Sequence, residues 1–103
     1  MALQGLIGDE VNLCGWKKSS SGSEVDFVVK WKGQAIPFEC KSALAIKGSH
    51  LGGLRDYMET YDIALGVVVS LAPLGFRTLS AKRRIMTLPL YLIEYWKEII
   101  ENQ

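Results

Sequence analysis

The sequence predicts an α/β domain: a mixed β-sheet flanked by helices, with a central antiparallel hairpin running from Glu24 to Ser42. Three patterns predict it. Apolar and charged side chains alternate over residues 24–32 and again over 35–41, which is the period of a strand. Leu51, Leu54, Met58 and Tyr61 recur at helical spacing, with Tyr57 adjacent. Ile63 to Val69 is an apolar run ending in Val67-Val68-Val69, as expected of a strand buried on both faces, and a helix leading into such a strand indicates layered α/β architecture.

The elements follow in order along the chain. Val11 to Lys17 is a short, partly apolar segment containing Trp16, and Lys18-Ser19-Ser20-Ser21-Gly22-Ser23 after it has the composition of a flexible loop. In the first hairpin strand Val25, Phe27, Val29 and Trp31 face one way and Glu24, Asp26, Lys30 and Lys32 the other, with Val28 as the exception. Gly33-Gln34 is the expected two-residue loop, since glycine at its first position suits a type II′ turn. The second strand carries Ile36, Phe38 and Cys40 on one face and Ala35, Pro37, Glu39 and Lys41 on the other. Pro37 removes a ladder donor, so one edge of this strand should be free or bulged there. Ser49 is the expected N-cap of the helix over Leu51 to Tyr61, and Gly52-Gly53 loosen its first turn. Leu71 to Arg84 is a long loop or hairpin, and Ile85 to Leu88 a short edge strand. Pro89 then opens a last helix over Leu90 to Glu101, with Leu92, Ile93, Trp96, Ile99 and Ile100 as its apolar stripe.

Composition narrows the functions available. A length of 103 residues allows one domain, and the expectation is a single domain over residues 1–103 that is a fragment or the C-terminal domain of a longer chain. An apolar fraction of 49% excludes a disordered chain. A net charge of +1 means that nucleic acid can be held only by a local basic patch. Cys14 and Cys40 form neither a disulfide framework nor a thiolate zinc motif and suit a reducing cytoplasm. The N-terminus lacks the pattern of a signal peptide, and Ile63 to Phe76, interrupted by Ser70 and Pro73, falls short of the ~20 residues of a spanning helix, so no membrane role is expected.

Pairing the hairpin about Gly33-Gln34 sets Asp26 opposite Lys41 and Val28 opposite Glu39. Opposed residues share a face, so Glu24, Asp26, Glu39 and Lys41 project together, while Val25, Phe27, Val29, Trp31, Ile36, Phe38 and Cys40 fill the other side. Opposed Cβ atoms lie roughly 5 Å apart and diagonal ones roughly 7–8 Å, close enough for two carboxylates to share a divalent ion beside an ammonium. Hard oxygen donors select Mg²⁺ or Mn²⁺. The metal ligands are then Asp26, Glu39, the backbone carbonyl of Cys40 and, as a further candidate, Glu24. Lys41 would act on the attacking water and on the charge of a phosphoryl transition state. The bland alternative is a solvated sheet face bearing cross-strand ion pairs.

Asp26 followed after a hairpin by Glu39-Cys40-Lys41 resembles the PD-(D/E)xK signature of restriction-endonuclease-like nucleases. The strings GSEVDFVV, IPFECKSA, GVVVS and LPLYLIEYW, spread from about Leu13 to Trp96, resemble domain of unknown function 4143, which follows AAA-type ATPase modules in bacterial and archaeal proteins. The resemblance implies a restriction-endonuclease-like mixed sheet with flanking helices, and Asp26, Glu39 and Lys41 as a catalytic set. It also implies DNA as substrate and an AAA-type ATPase domain, in cis or in trans, as partner. Val25 stands where the signature has proline, and the acidic residue expected on a preceding helix falls to Glu10 or Glu24.

Two functions follow. One is a Mg²⁺- or Mn²⁺-dependent nuclease that hydrolyses DNA phosphodiester bonds. The other is a catalytically silent module of the same fold that binds nucleic acid or docks on, and regulates, an AAA-type ATPase. Lys82, Arg83 and Arg84, with Arg77, Lys17 and Lys18, are the candidate phosphate contacts, though a basic run of three is as well explained by a solvated loop, and DNA binding should be weak. His50 suits a surface or capping role, and Ser42 and Lys47 flank the set. Tyr57, Tyr61, Tyr91, Tyr95, Trp16 and Trp96 read as core residues and as subunit contacts of a homodimer, and Cys14 as a small core residue.

Overall fold

A computed structural model describes residues 11–12, 16–17 and 24–102, with side chains from Val25 onward. Glu10, Cys14, Lys18 and the serine-rich run lie outside the described residues. The strands are β1 (Val11–Asn12), β2 (Trp16–Lys17), β3 (Glu24–Val25), β4 (Phe27–Trp31), β5 (Gln34–Cys40), β6 (Leu65–Ser70), β7 (Gly75–Ser80) and β8 (Arg83–Pro89). A 3₁₀ turn at Gly48–Leu51 leads into helix α1 (Gly52–Tyr61), and a second 3₁₀ segment at Leu90–Tyr95 leads into α2 (Trp96–Glu101). The main sheet has the order β1-β4-β5-β6-β8-β7; β5, β6 and β8 run parallel, while β1, β4 and β7 pair antiparallel with their neighbours. β2 and β3 form a separate two-stranded ladder.

The chain is therefore an α/β domain with a mixed sheet and helices on both faces. On one face Phe27, Val29, Ile36, Phe38, Val67, Val69, Met86 and Leu88 pack with Ile93 and Trp96 of the C-terminal helical segment. On the other, Val25, Val28, Val68 and Ile85 pack with Leu51 and with Leu54, Tyr57 and Met58 of α1. All six residues of β6 are buried, as expected of a strand covered on both sides.

The hairpin forms with a different turn from the one expected. Trp31 pairs with Gln34, so the loop is Lys32-Gly33, and both of these residues have positive φ, 52° and 76°. That is the type I′ pattern, whose backbone twist matches the twist of the flanking strands. The register moves by two residues: Val28 faces Pro37 rather than Glu39, and Lys30 faces Ala35. Because the side-chain period is also two, every residue of β5 keeps its face. Val25 does not. A bend at Asp26 separates β3 from β4, and Val25 packs with Val28 and α1 instead of with Phe27. Pro37 acts as expected, since the ladder from β5 to β6 begins only at Phe38.

Other elements also differ in detail. Lys47, not Ser49, precedes the 3₁₀ turn, and its N–H donates to His50 Nδ1 at 3.0 Å, which gives His50 the capping role expected of it. The region after Leu71 is a hairpin, and its strand β7 takes the edge, so β8 lies inside the sheet between β6 and β7. The last helix begins as a 3₁₀ segment, whose three residues per turn set Ile93 in line with the buried Trp96. Tyr57 and Trp96 are core residues, whereas Tyr61, Tyr91 and Tyr95 are exposed.

Two substitutions test this packing. A Cβ on Gly66 of β6 would lie 2.8 Å from Met58 Sδ and 3.7 Å from both Ile85 and Leu54, so this glycine sets how closely α1 approaches the sheet. Gly66→Val should overpack the site and cost about 1–3 kcal/mol, with part of the loss recovered by Met58→Ala in the same chain, as read by urea unfolding. Gly33→Ala should cost about 1 kcal/mol, roughly 4–8 °C in Tm, because alanine strains at φ 76° while nothing lies within 4 Å to obstruct its methyl group.

Candidate functional site

Glu39, Cys40 and Lys41 lie where β5 ends beside β6. Glu39 stands opposite Val68 and Cys40 opposite Val69, and the Lys41 N–H donates to the Val69 carbonyl at 2.9 Å. In open α/β sheets, clefts at the carboxyl ends of the strands are the usual ligand sites. Here a cleft of about 390 Å³ is lined by Cys40, Lys41, Ser42, Val69, Ser70, Leu71 and Leu90.

Glu39 is 6% exposed and shares the α1-covered face with Pro37 and Val28. The expected solvated face is thus a packed one, and the carboxylate is taken out of water. Lys41 Nζ lies 3.4 Å from Glu39 Oε1, with its side chain 35% exposed. A carboxylate so placed needs an adjacent cation or further donors to offset its lost hydration. Lys41 supplies the cation and reaches from it into the cleft.

Asp26 enters from the bend between β3 and β4. It does not face Lys41; its Oδ2 accepts the Cys40 N–H at 2.8 Å, standing in for a ladder carbonyl at the point where the hairpin ends. Asp26 is exposed, and its carboxylate is tied to the peptide between Glu39 and Cys40. Three of the expected residues, Asp26, Glu39 and Lys41, are thereby gathered at one strand end. Burial raises the pKa of the Cys40 thiol, and the charges of Asp26 and Glu39 raise it further, so at neutral pH Cys40 is a thiol and a poor nucleophile. Cys40 was expected among the core residues, yet it is exposed and free, because the sheet ends there.

The donor set suits a hard divalent ion that keeps most of its waters, since such ions take only one or two protein carboxylates. Among the described residues, no three His, Cys, Asp or Glu side chains form a metal cage. Asp26 and Glu39 would be the holding pair, with the carbonyl of Cys40, which lies between Glu39 and Lys41 in sequence, as a further ligand. The backbone of Glu24 pairs with Lys17, and its side chain lies outside the described residues.

The basic run is elsewhere. Lys82, Arg83 and Arg84 form the β7–β8 turn and the start of β8, where Arg84 stands opposite Leu65. Cys40 stands opposite Val69, so four residues of β6, about 13 Å along the strand, separate the two groups. Arg83 Nη2 lies 2.6 Å from Asp62 Oδ1, and the Arg84 guanidinium lies over the Phe76 ring at 5.1 Å. Arg77 donates to the Ile46 carbonyl at 2.8 Å. Sequence spacing alone does not assign Ser70, which is 3% exposed, lines the cleft and accepts the Ala72 N–H at 3.1 Å. Its signal is a hydroxyl closing an otherwise apolar buried strand.

Among the described residues no helix is long and apolar enough to cross a membrane. No curated protein and no solved structure matches the chain. One family model does, over residues 2–91, which include both strands of the hairpin, α1, β6 to β8 and the whole Asp26, Glu39 and Lys41 group. The chain belongs to the family described as Domain of unknown function (DUF4143).

Proposed function

We propose that the chain is a divalent-metal-dependent, PD-(D/E)xK-type nuclease-like domain that hydrolyses DNA phosphodiester bonds. The observation that carries this reading is the junction at the end of β5: buried Glu39 with Lys41 at 3.4 Å, and Asp26 fastened to the intervening peptide at 2.8 Å. A mixed sheet with helices on both faces supports the same reading.

Asp26 and Glu39, with the Cys40 carbonyl and Glu24 as further ligands, would hold Mg²⁺ or Mn²⁺. When bound, the ion supplies a more acidic water and positive charge beside the scissile phosphoryl oxygen. The protein's own part is positioning. The Asp26 hydrogen bond fixes the Cys40 peptide, and the β6 ladder fixes Lys41, so the two carboxylates and the ammonium keep a set spacing. Lys41 orients the attacking water and offsets charge that develops on the phosphate along the reaction path. Lys82, Arg83 and Arg84, at the far end of the sheet, would add little to strand binding at the site, so DNA affinity should be weak and steeply salt-dependent.

A second reading is a silent module of the same fold that docks on an AAA-type ATPase domain. The exposed apolar side chains around the same strand ends favour it: Leu71 and Leu90 beside the cleft, with Leu44 77% and Tyr91 79% exposed. Exposed apolar groups gathered at one edge of a small domain suit a partner surface.

The ion is tested first. Mn²⁺ at roughly ten times its Kd should stabilise the fold by about 1.4 kcal/mol, roughly 6–10 °C in Tm, and Asp26→Asn with Glu39→Gln should abolish that shift. An undiminished shift in the double variant would remove the site from these residues. Cleavage is tested with supercoiled, linear and branched DNA in Mg²⁺ and Mn²⁺. Lys41→Ala should reduce the cleavage rate by about 10²–10³ while leaving the Mn²⁺-induced Tm shift largely intact, because the ammonium acts on the transition state and the carboxylates on the ion. Metal binding without cleavage of any of the three DNAs would favour the docking module.

A further inference from the structure

At the end of the sheet opposite Glu39 and Lys41 the strands part. β4 and β5 turn at Lys32-Gly33, β5 makes no ladder to β6 before Phe38, and β7 and β8 turn at Ala81-Lys82. The opening is a cleft of about 370 Å³ with Trp31 and Ile36 in its walls. Four of its lining residues are cationic, Lys32, Lys82, Arg83 and Arg84, and none is acidic; the Arg83 side chain follows Ile85 onto the α1 face, where it also lines a second cleft with Arg55 and Glu59. The hydroxyls of Thr78 and Ser80 line it as well.

These cations are only partly neutralised. Among the described residues Lys82 and Arg84 form no ion pair. Lys32 Nζ lies 3.0 Å from Glu101, but both side chains are about half exposed or more, so that pair is weak and exchanges with solvent. Arg83 gives Nη2 to Asp62, while its Nε is buried and has no acceptor.

We propose that this cleft is a second site, independent of the nuclease reading, that takes the phosphate group of a ligand. Three cations around one opening, Lys32, Lys82 and Arg84, match a multiply charged anion better than a single carboxylate, and arginine presents its N–H groups in a fork suited to phosphate oxygens. The phosphate is that of a small phosphorylated molecule or the 5′-phosphate of a nucleic-acid end.

The test is an NMR titration of the arginine Nε–Hε resonances of the whole chain with inorganic phosphate and pyrophosphate, against sodium chloride of equal ionic strength. The Arg84 resonance should shift saturably with both, at lower concentrations of pyrophosphate. Lys82→Gln with Arg84→Gln, which removes two cations free of ion pairs, should weaken binding about tenfold or more, while loss of the Arg84–Phe76 contact lowers Tm by only about a few degrees and leaves the free protein folded at the assay temperature. Single-stranded oligonucleotides with and without a 5′-phosphate separate the sources: a preference for the phosphorylated strand over pyrophosphate assigns a nucleic-acid end, and the reverse a small ligand. Shifts no larger than those with chloride would overturn the site, as would affinity unchanged in the double variant. Oligonucleotide binding indifferent to the 5′-phosphate, with no response to phosphate or pyrophosphate, would overturn it too.

Discussion

The ladder between β5 and β6 starts at Phe38 and ends within a few residues, and both ends of the sheet take their chemistry from that. Proline at position 37 has no N–H to give a neighbouring strand, and β6 begins only at Leu65, opposite Ile36, so residues 34–37 of β5 pair only with β4. On that side the sheet opens into the cationic cleft. On the other side the ladder holds long enough to bury Glu39 against Val68 and to fasten Lys41 to Val69. One residue without a backbone donor thus separates a cleft rich in arginine and lysine from a strand end rich in oxygen donors.

The ion pair at that strand end is not a stabilising device. Glu39 is nearly out of water, while Lys41 is about one third exposed. Removing a carboxylate from water costs several kcal/mol, and a partly solvated ammonium returns only part of it. An apolar residue at position 39 would continue the run of Ile36, Pro37 and Phe38 and pack with Val28 and Val68 more cheaply. A buried glutamate beside a lysine at the mouth of a cleft, with Asp26 held at the same peptide, is the arrangement on which the proposed metal site rests.

Much of this was legible from residue alternation. The hairpin, the α1 stripe, the buried β6 and the grouping of Asp26, Glu39 and Lys41 follow from periods of two and 3.6. The site survived a wrong turn because the slip was even: Lys32-Gly33 in place of Gly33-Gln34 moves the pairing by two residues and leaves each side chain of β5 on its face. What alternation could not supply was tertiary. Val25 changes face because a bend interrupts the strand at Asp26. Leu71 to Arg84 reads as a loop or hairpin because β7, an edge strand with one face exposed and the other only half-buried, has weak patterning, and β8 then looks like the edge that β7 in fact covers. Glu39 looked solvated because the sequence does not say that α1 lies over its face.

Net charge is the weakest guide of all in a molecule arranged this way. A value of +1 suggests indifference to anions, yet it averages two ends of one sheet about 13 Å apart. At that distance the field of either end is already cut by a Debye length of roughly 8–10 Å in physiological salt, so each acts on its own surroundings. The end with Asp26 and Glu39 carries two carboxylates, and the end with Lys32, Lys82 and Arg84 carries three cations, with neither cancelling the other. Asp62 links the second end to the core: it caps α1 in a left-handed conformation and holds Arg83 at 2.6 Å, so the cleft's arginine is anchored to the same helix that covers Glu39.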